Sequence, residues 1–293
     1  MKHVYKYVTG HTFDKGVFRN VWDQKEFATQ KELFEYLVTE KELILDQKKS
    51  IEKHCEGSIS FIDRVNVTTK AALYSNDKEA GILKRTILAN TYWWMDSMSD
   101  VHLGKGEGDQ AVFTESIKNR ATKIPPIDQH NWSLDGRIGK TLDIYEAPIS
   151  WRALGVGKTG MTEGLFADAQ IEKEKNAARY NDYLNDEIDQ HSVGMQYLDI
   201  QLAVNDEEGY PKEYATYQKY ISKIGNRQEV EKQGFFFAVG KARLKEYSAV
   251  IAGANELTPV IGQPSGDTGK DDPSGDSQMK AFELGVLKLI SKI

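Results

Sequence analysis

A single cysteine, Cys55, is all the thiol that the 293 residues carry. Neither a disulfide framework nor a cysteine zinc site can form within one such chain. Cys55 follows a lysine-rich stretch with no second thiol nearby and reads as structural. Long apolar runs are also missing, since none approaches the ~20 residues of a membrane span. The opening Met1-Lys2-His3-Val4-Tyr5-Lys6 has no signal-peptide apolar region. These absences lead us to expect a protein made and kept in a reducing cytoplasm, away from membranes. Excess positive charge is lacking too. The formal net charge is −6, which argues against general nucleic-acid binding. What is present is 40 % hydrophobic and 28 % charged residues, enough for the core of one large domain or two small ones.

The first twenty residues are mixed, with Gly10 and Gly16 as breakers. Thr29-Gln30-Lys31-Glu32 then has the form of a capping box, followed by Leu33, Phe34 and Leu37 at helical spacing. Thr39-Glu40-Lys41-Glu42 repeats the form, so a helical hairpin or one kinked helix is expected up to about Lys53. From Gly57 the period becomes that of strands: Ser58–Ile62, Val65–Thr69, and Arg85–Ala89 running into Tyr92-Trp93-Trp94. Asp96 to Asp100 reads as a turn, Phe113 to Arg120 as a short helix, and Ile124-Pro125-Pro126-Ile127 as extended chain. Strands are expected over Ile138–Ile144, Ala147–Leu154 and Met161–Ala169. A helix over Lys173–Glu187 carries Ala177, Tyr180, Leu184 and Ile188 on one stripe. Asp206 to Gly225 is a polar insertion. Phe235–Val239 and Ala242–Ile251 are strands, and Gly253 to Val260 closes the folded part.

Two segments invite and fail a cofactor reading. Gly155-Val156-Gly157-Lys158-Thr159-Gly160 matches Gly-x-Gly-x-x-Gly, but a phosphate loop must open a helix. Met161 to Ala167 alternates instead, and Arg152 stands where the stricter phosphate loop needs glycine, so a hairpin turn is expected. His102 with Asp96 and Asp100 suggests a metal cluster, but no second histidine lies nearby, and we expect a turn. No cofactor and no metal are therefore assigned.

The chemistry concentrates in Gln190-His191-Ser192-Val193-Gly194-Met195-Gln196-Tyr197. Alternation places Ser192, Gly194 and Gln196 on one strand face and His191, Val193, Met195 and Tyr197 on the other. Gly194 leaves space beside Ser192 for another backbone to approach, as a nucleophile attacking a peptide requires. The bland alternative is a buried strand with a hydrogen-bonded serine. His191 adjoins Ser192 but points away from it, and is expected to pack or to make a surface contact. His3, His11 and His54 have no visible partners.

Several ordered pieces resemble the prohead maturation serine proteases of tailed bacteriophages, whose fold is related to herpesvirus assemblin. They are Asp96 to Asp100-Val101-His102, Ala111-Val112-Phe113, His130, Gly164-Leu165-Phe166, His191 to Met195, and Leu244 to Val250 running into Gly253-Ala254-Asn255. The match runs from about Ile87 to Val260. The N-terminal helical segment lies outside it, and Asp206 to Gly225 lengthens a connection that is usually a short hairpin. The resemblance implies Ser192 as nucleophile, His130 as general base and Glu246 as the acidic third member. It further implies an α+β fold with a β-barrel-like core of the herpesvirus-protease type and packed helices. With the composition and apolar spacing of the tail, the chain divides into an N-terminal helical extension (1–56), a serine protease core (57–261), a disordered linker rich in Gly, Pro, Ser and Asp (262–276) and a C-terminal amphipathic helix (277–293).

This chemistry is coherent. A serine hydroxyl needs a base to take its proton, and a histidine, with an unperturbed pKa of about 6.5, serves near neutrality. A carboxylate behind the ring fixes its tautomer. By resemblance, the protein is an endopeptidase acting inside the assembling prohead in the host cytoplasm. Its substrates would be the phage scaffold protein, the major capsid protein and itself, with self-association possible. Two alternatives remain: a non-catalytic scaffold or assembly protein that keeps the fold, and, far below it, a nucleotide-binding enzyme using Gly155 to Gly160.

Overall fold

The computed structural model describes residues 5–8, 12–14, 17–19, 24–50, 72–105 and 110–262. In chain order they form β1 (Tyr5–Val8), β2 (Thr12–Asp14), β3 (Val17–Arg19), β4 (Gln24–Phe27), α1 (Gln30–Thr39), α2 (Lys41–Ser50), β5 (Tyr74–Asp77), β6 (Ile82–Thr91), β7 (Asp100–His102), α3 (Thr114–Ile117) and β8 (Pro126–Asp128). These are followed by β9 (Gly139–Ser150), β10 (Met161–Glu172), α4 (Ala177–Leu184), β11 (Gln190–Val204), α5 (Pro211–Tyr220), α6 (Arg227–Gln233), β12 (Phe235–Val250) and β13 (Val260–Ile261). Cys55, His3, His11, His54, the strands expected at Ser58–Ile62 and Val65–Thr69, and all of the expected tail beyond Gly262 lie outside the described residues.

Two larger sheets carry the fold, which is α+β. One is antiparallel in the order β13-β6-β10-β9, with β5 also on β6. The other runs β11-β12-β7, with β8 also on β12. There β11 is antiparallel to β12, whereas β7 and β8 run parallel to it. The β-barrel-like core implied by the resemblance is corrected here, because the ladders do not close. Among the described residues, the bridges Met95 to Val101 and Ile127 to Arg137 are isolated and extend no ladder. The reason is local: β7 and β8 are three residues each, and Pro125 and Pro126 have no N–H to extend a ladder. Both sheets feed one apolar core, including Leu88, Phe166, Tyr197, Phe237 and Leu244.

The helices before residue 56 share that core. Thr29 accepts the Glu32 N–H at 3.2 Å and caps α1, and Leu33, Phe34, Leu37, Ile44 and Leu45 are buried. Lys48 of α2 reaches Asp100 at 2.6 Å, and Lys41 reaches Glu213 of α5 at 2.9 Å. The N-terminal segment is not wholly helical, for β1 pairs with β4 and β2 with β3 ahead of α1.

Gly155 to Gly160 lies in the β9–β10 connection. Gly155 (φ 72°) and Gly160 (φ 93°) take left-handed conformations, and Met161 pairs directly with Ser150. No helix follows. In the other expected turn, one carboxylate oxygen of Asp96 accepts the N–H groups of Met98 (2.8 Å) and Asp100 (2.9 Å).

Candidate active site

The antiparallel β11–β12 hairpin is the platform. Its register sets Ser192 opposite Ser248 and Gly194 opposite Glu246. Directly opposed residues share a face, and so do residues two apart. Ser192, Gly194, Glu246 and Ser248 therefore stand together. Immediately beyond, Met195 pairs with Leu244, leaving Lys245 as an extra residue on β12. A bulge of this kind bends a strand beside a site.

Gly194 has a use different from the one its sequence suggests. A Cβ there would lie 2.2 Å from Glu246 Oε1 and 2.9 Å from its Cδ. The space is filled by the Glu246 side chain lying across the glycine, not by an approaching backbone.

His130 comes from β8. That strand runs parallel to β12, with Ile127 beside Ser248 and Asp128 beside Ala249. A tight turn follows, closed by Asn131 N–H donating to the Asp128 carbonyl at 2.8 Å. Its central residues, Gln129 (φ 45°) and His130 (φ 56°), are both left-handed, which costs a non-glycine residue roughly 1 kcal/mol. The turn swings the imidazole onto the shared face, where Nδ1 lies 2.6 Å from Glu246 Oε1. A carboxylate oxygen accepts, so Nδ1 carries the proton. In the neutral ring Nε2 is then the basic nitrogen, on the side away from Glu246.

Glu246 is fully buried. Its second oxygen accepts from Ser248 Oγ at 2.6 Å. Ser248 is absent from the residues that the sequence picks out, although its spacing of two from Glu246 on a strand puts both on one face. Ser248 is 0 % exposed and Ser192 7 % exposed. Both serines are buried, Ser192 less completely than Ser248. The acids nearest His130 in sequence are engaged otherwise or lie outside the hairpin: Asp128 pairs with Arg179 at 3.5 Å, and Asp135 sits in the helical turn Leu134–Gly136.

His191 occupies the opposite face and is fully buried. Its Nδ1 lies 2.8 Å from the Thr258 carbonyl, which can only accept, so Tyr183 donates to Nε2 at 2.9 Å. Burial pushes the imidazole down to about 4, leaving it neutral and committed to packing. The Thr258 hydroxyl accepts the His191 N–H at 3.1 Å and donates to the His191 carbonyl at 2.8 Å, fixing the backbone next to Ser192. His102 is likewise buried, between Asn90 (3.1 Å) and the Tyr197 hydroxyl (3.3 Å).

Among the described residues no helix is long and apolar enough to cross a membrane. Comparisons with models of known protein families, with curated proteins and with solved structures find no match.

Proposed function

We propose that the protein is a serine endopeptidase in which Ser192 is the nucleophile, His130 the general base and Glu246 the residue that orients the base. The supporting observation is the 2.6 Å bond from His130 Nδ1 to the buried Glu246, on the face that also carries Ser192. With Nδ1 holding a proton for Glu246, Nε2 takes the proton of the attacking hydroxyl and later gives it to the leaving amine. Glu246 stabilises the imidazolium formed in between. The resemblance to phage maturation proteases extends the reading to substrates: scaffold and capsid proteins in an assembling prohead, and the enzyme's own chain. A relationship of the two-sheet core to the herpesvirus-protease fold belongs to the same proposal.

The test is covalent labelling of the full-length protein with a fluorophosphonate, followed by peptide mapping. The expected adduct is on Ser192, absent in Ser192→Ala and in protein with His130 replaced, while both variants keep the wild-type circular dichroism. Labelling elsewhere, or labelling of Ser192→Ala, overturns the assignment. A wild-type protein that neither labels nor cleaves itself favours the non-catalytic assembly role.

A further inference from the structure

Ser248 ties together two groups that arrive from different parts of the chain. Its oxygen has one proton, and the 2.6 Å contact assigns that proton to Glu246 Oε2. The same oxygen accepts the backbone N–H of His130 at 3.1 Å and lies 3.3 Å from His130 Nδ1. Each carboxylate oxygen of Glu246 thus meets a donor, one from His130 and one from Ser248. The turn that holds His130 in its left-handed conformation is pinned to β12 through the same hydroxyl. Glu246 and Ser248 are both completely buried, so water does not replace this hydrogen bond if it is lost.

We infer that Ser248 is a positioning residue, whose hydroxyl fixes the Glu246 carboxylate and the His130 turn so that the imidazole keeps its proton on Nδ1. The catalytic part of this inference rests on the protease reading above; the tautomer part does not. Without the hydroxyl, Glu246 Oε2 and the His130 N–H both lose their partner in a buried place, and the carboxylate is free to rotate away from Nδ1. Ser248 is completely buried, so its loss is expected to act on turnover and not on binding.

The experiment compares full-length wild type, Ser248→Ala and Ser248→Thr, the last keeping the hydroxyl. Nitrogen-15 NMR of the His130 ring reads the tautomer in every variant, whether or not it is active. The wild type is expected to show a single Nδ1–H form, Ser248→Ala a mixture, and Ser248→Thr a return towards wild type. On a cleavable peptide, Ser248→Ala should lose about tenfold or more in kcat with KM within about twofold, and its pH–rate profile should shift on the acid limb. If Ser248→Ala does not fold, Ser248→Cys, a far weaker donor of similar size, takes its place. A variant lacking the hydroxyl with an unchanged His130 tautomer and an unchanged pH profile overturns the role. If the wild type hydrolyses no peptide but the tautomer changes as expected, the protease reading fails while the positioning role stands.

Discussion

Adding one methyl group to Gly194 attacks the site without removing any of its functional groups. In Gly194→Ala the new Cβ would lie 2.2 Å from Glu246 Oε1, against about 3.4 Å for an ordinary contact. The carboxylate must therefore retreat by about 1.2 Å (3.4 − 2.2). If the movement is away from the ring, the Nδ1 to Oε1 distance of 2.6 Å becomes about 3.8 Å, beyond hydrogen-bond reach. Under the proposed mechanism, an acid that no longer holds the histidine costs about ten-thousand-fold in kcat. The folding cost is smaller. Crowding costs ~1–3 kcal/mol, offset by ~0.4–1 kcal/mol from the stiffer unfolded chain. The assay is kcat and KM on a fixed peptide, beside thermal unfolding of the same preparation. A folded Gly194→Ala enzyme with the wild-type kcat would refute the claim that Glu246 must lie across this glycine.

Two further predictions concern stability. The folded state holds His191 at about 4, below its unfolded value of ~6.5, so protons bind the unfolded chain first. Stability is full above pH ~6.5 and falls as pH drops towards 4, by up to about 3 kcal/mol for a depression of this size. His191→Gln should flatten that limb in urea titrations between pH 7 and pH 4; an unchanged slope would show that other groups govern it. Lys48→Met removes the cation 2.6 Å from the fully buried Asp100. It should cost ~3–5 kcal/mol, read as a fall of about 10 °C in Tm. A shift under 2 °C would mean that the ion pair does not fasten α2 to the core.

Strand periodicity, capping chemistry and turn glycines made most of the secondary structure legible. Thr29, Asp96 and the Gly155–Gly160 turn each do locally what their chemistry indicates. Where long-range pairing decides, the sequence misleads. Two strands are expected between Ile138 and Leu154, yet β9 is continuous through Pro148, because β9 lies at the end of its sheet order, where a missing N–H is tolerated. The insertion from Asp206 to Gly225 reads as polar, but it contains α5, whose Tyr217 is buried against Phe236 with ring centroids 5.6 Å apart. The helical stripe that includes Tyr180 omits Tyr183, although the latter is buried and bonded to His191. At the candidate site, His130, Ser192 and Glu246 were singled out by resemblance, but Ser248 was not, because its contacts depend on a turn 118 residues earlier in the chain.

The same long reach governs when the site can exist. His130 and Glu246 are separated by 116 positions, and Ser192 has no opposite strand until β12 has been made. A chain emerging from the ribosome exposes its histidine and serine long before the glutamate that orders them. Contacts so distant along the chain form late, because loop closure must precede any gain from pairing. Almost the whole of the folded part must therefore be synthesised and docked before Glu246 can hold the His130 imidazole. If the proposed self-processing protease reading holds, completion of the fold would then serve as the timer.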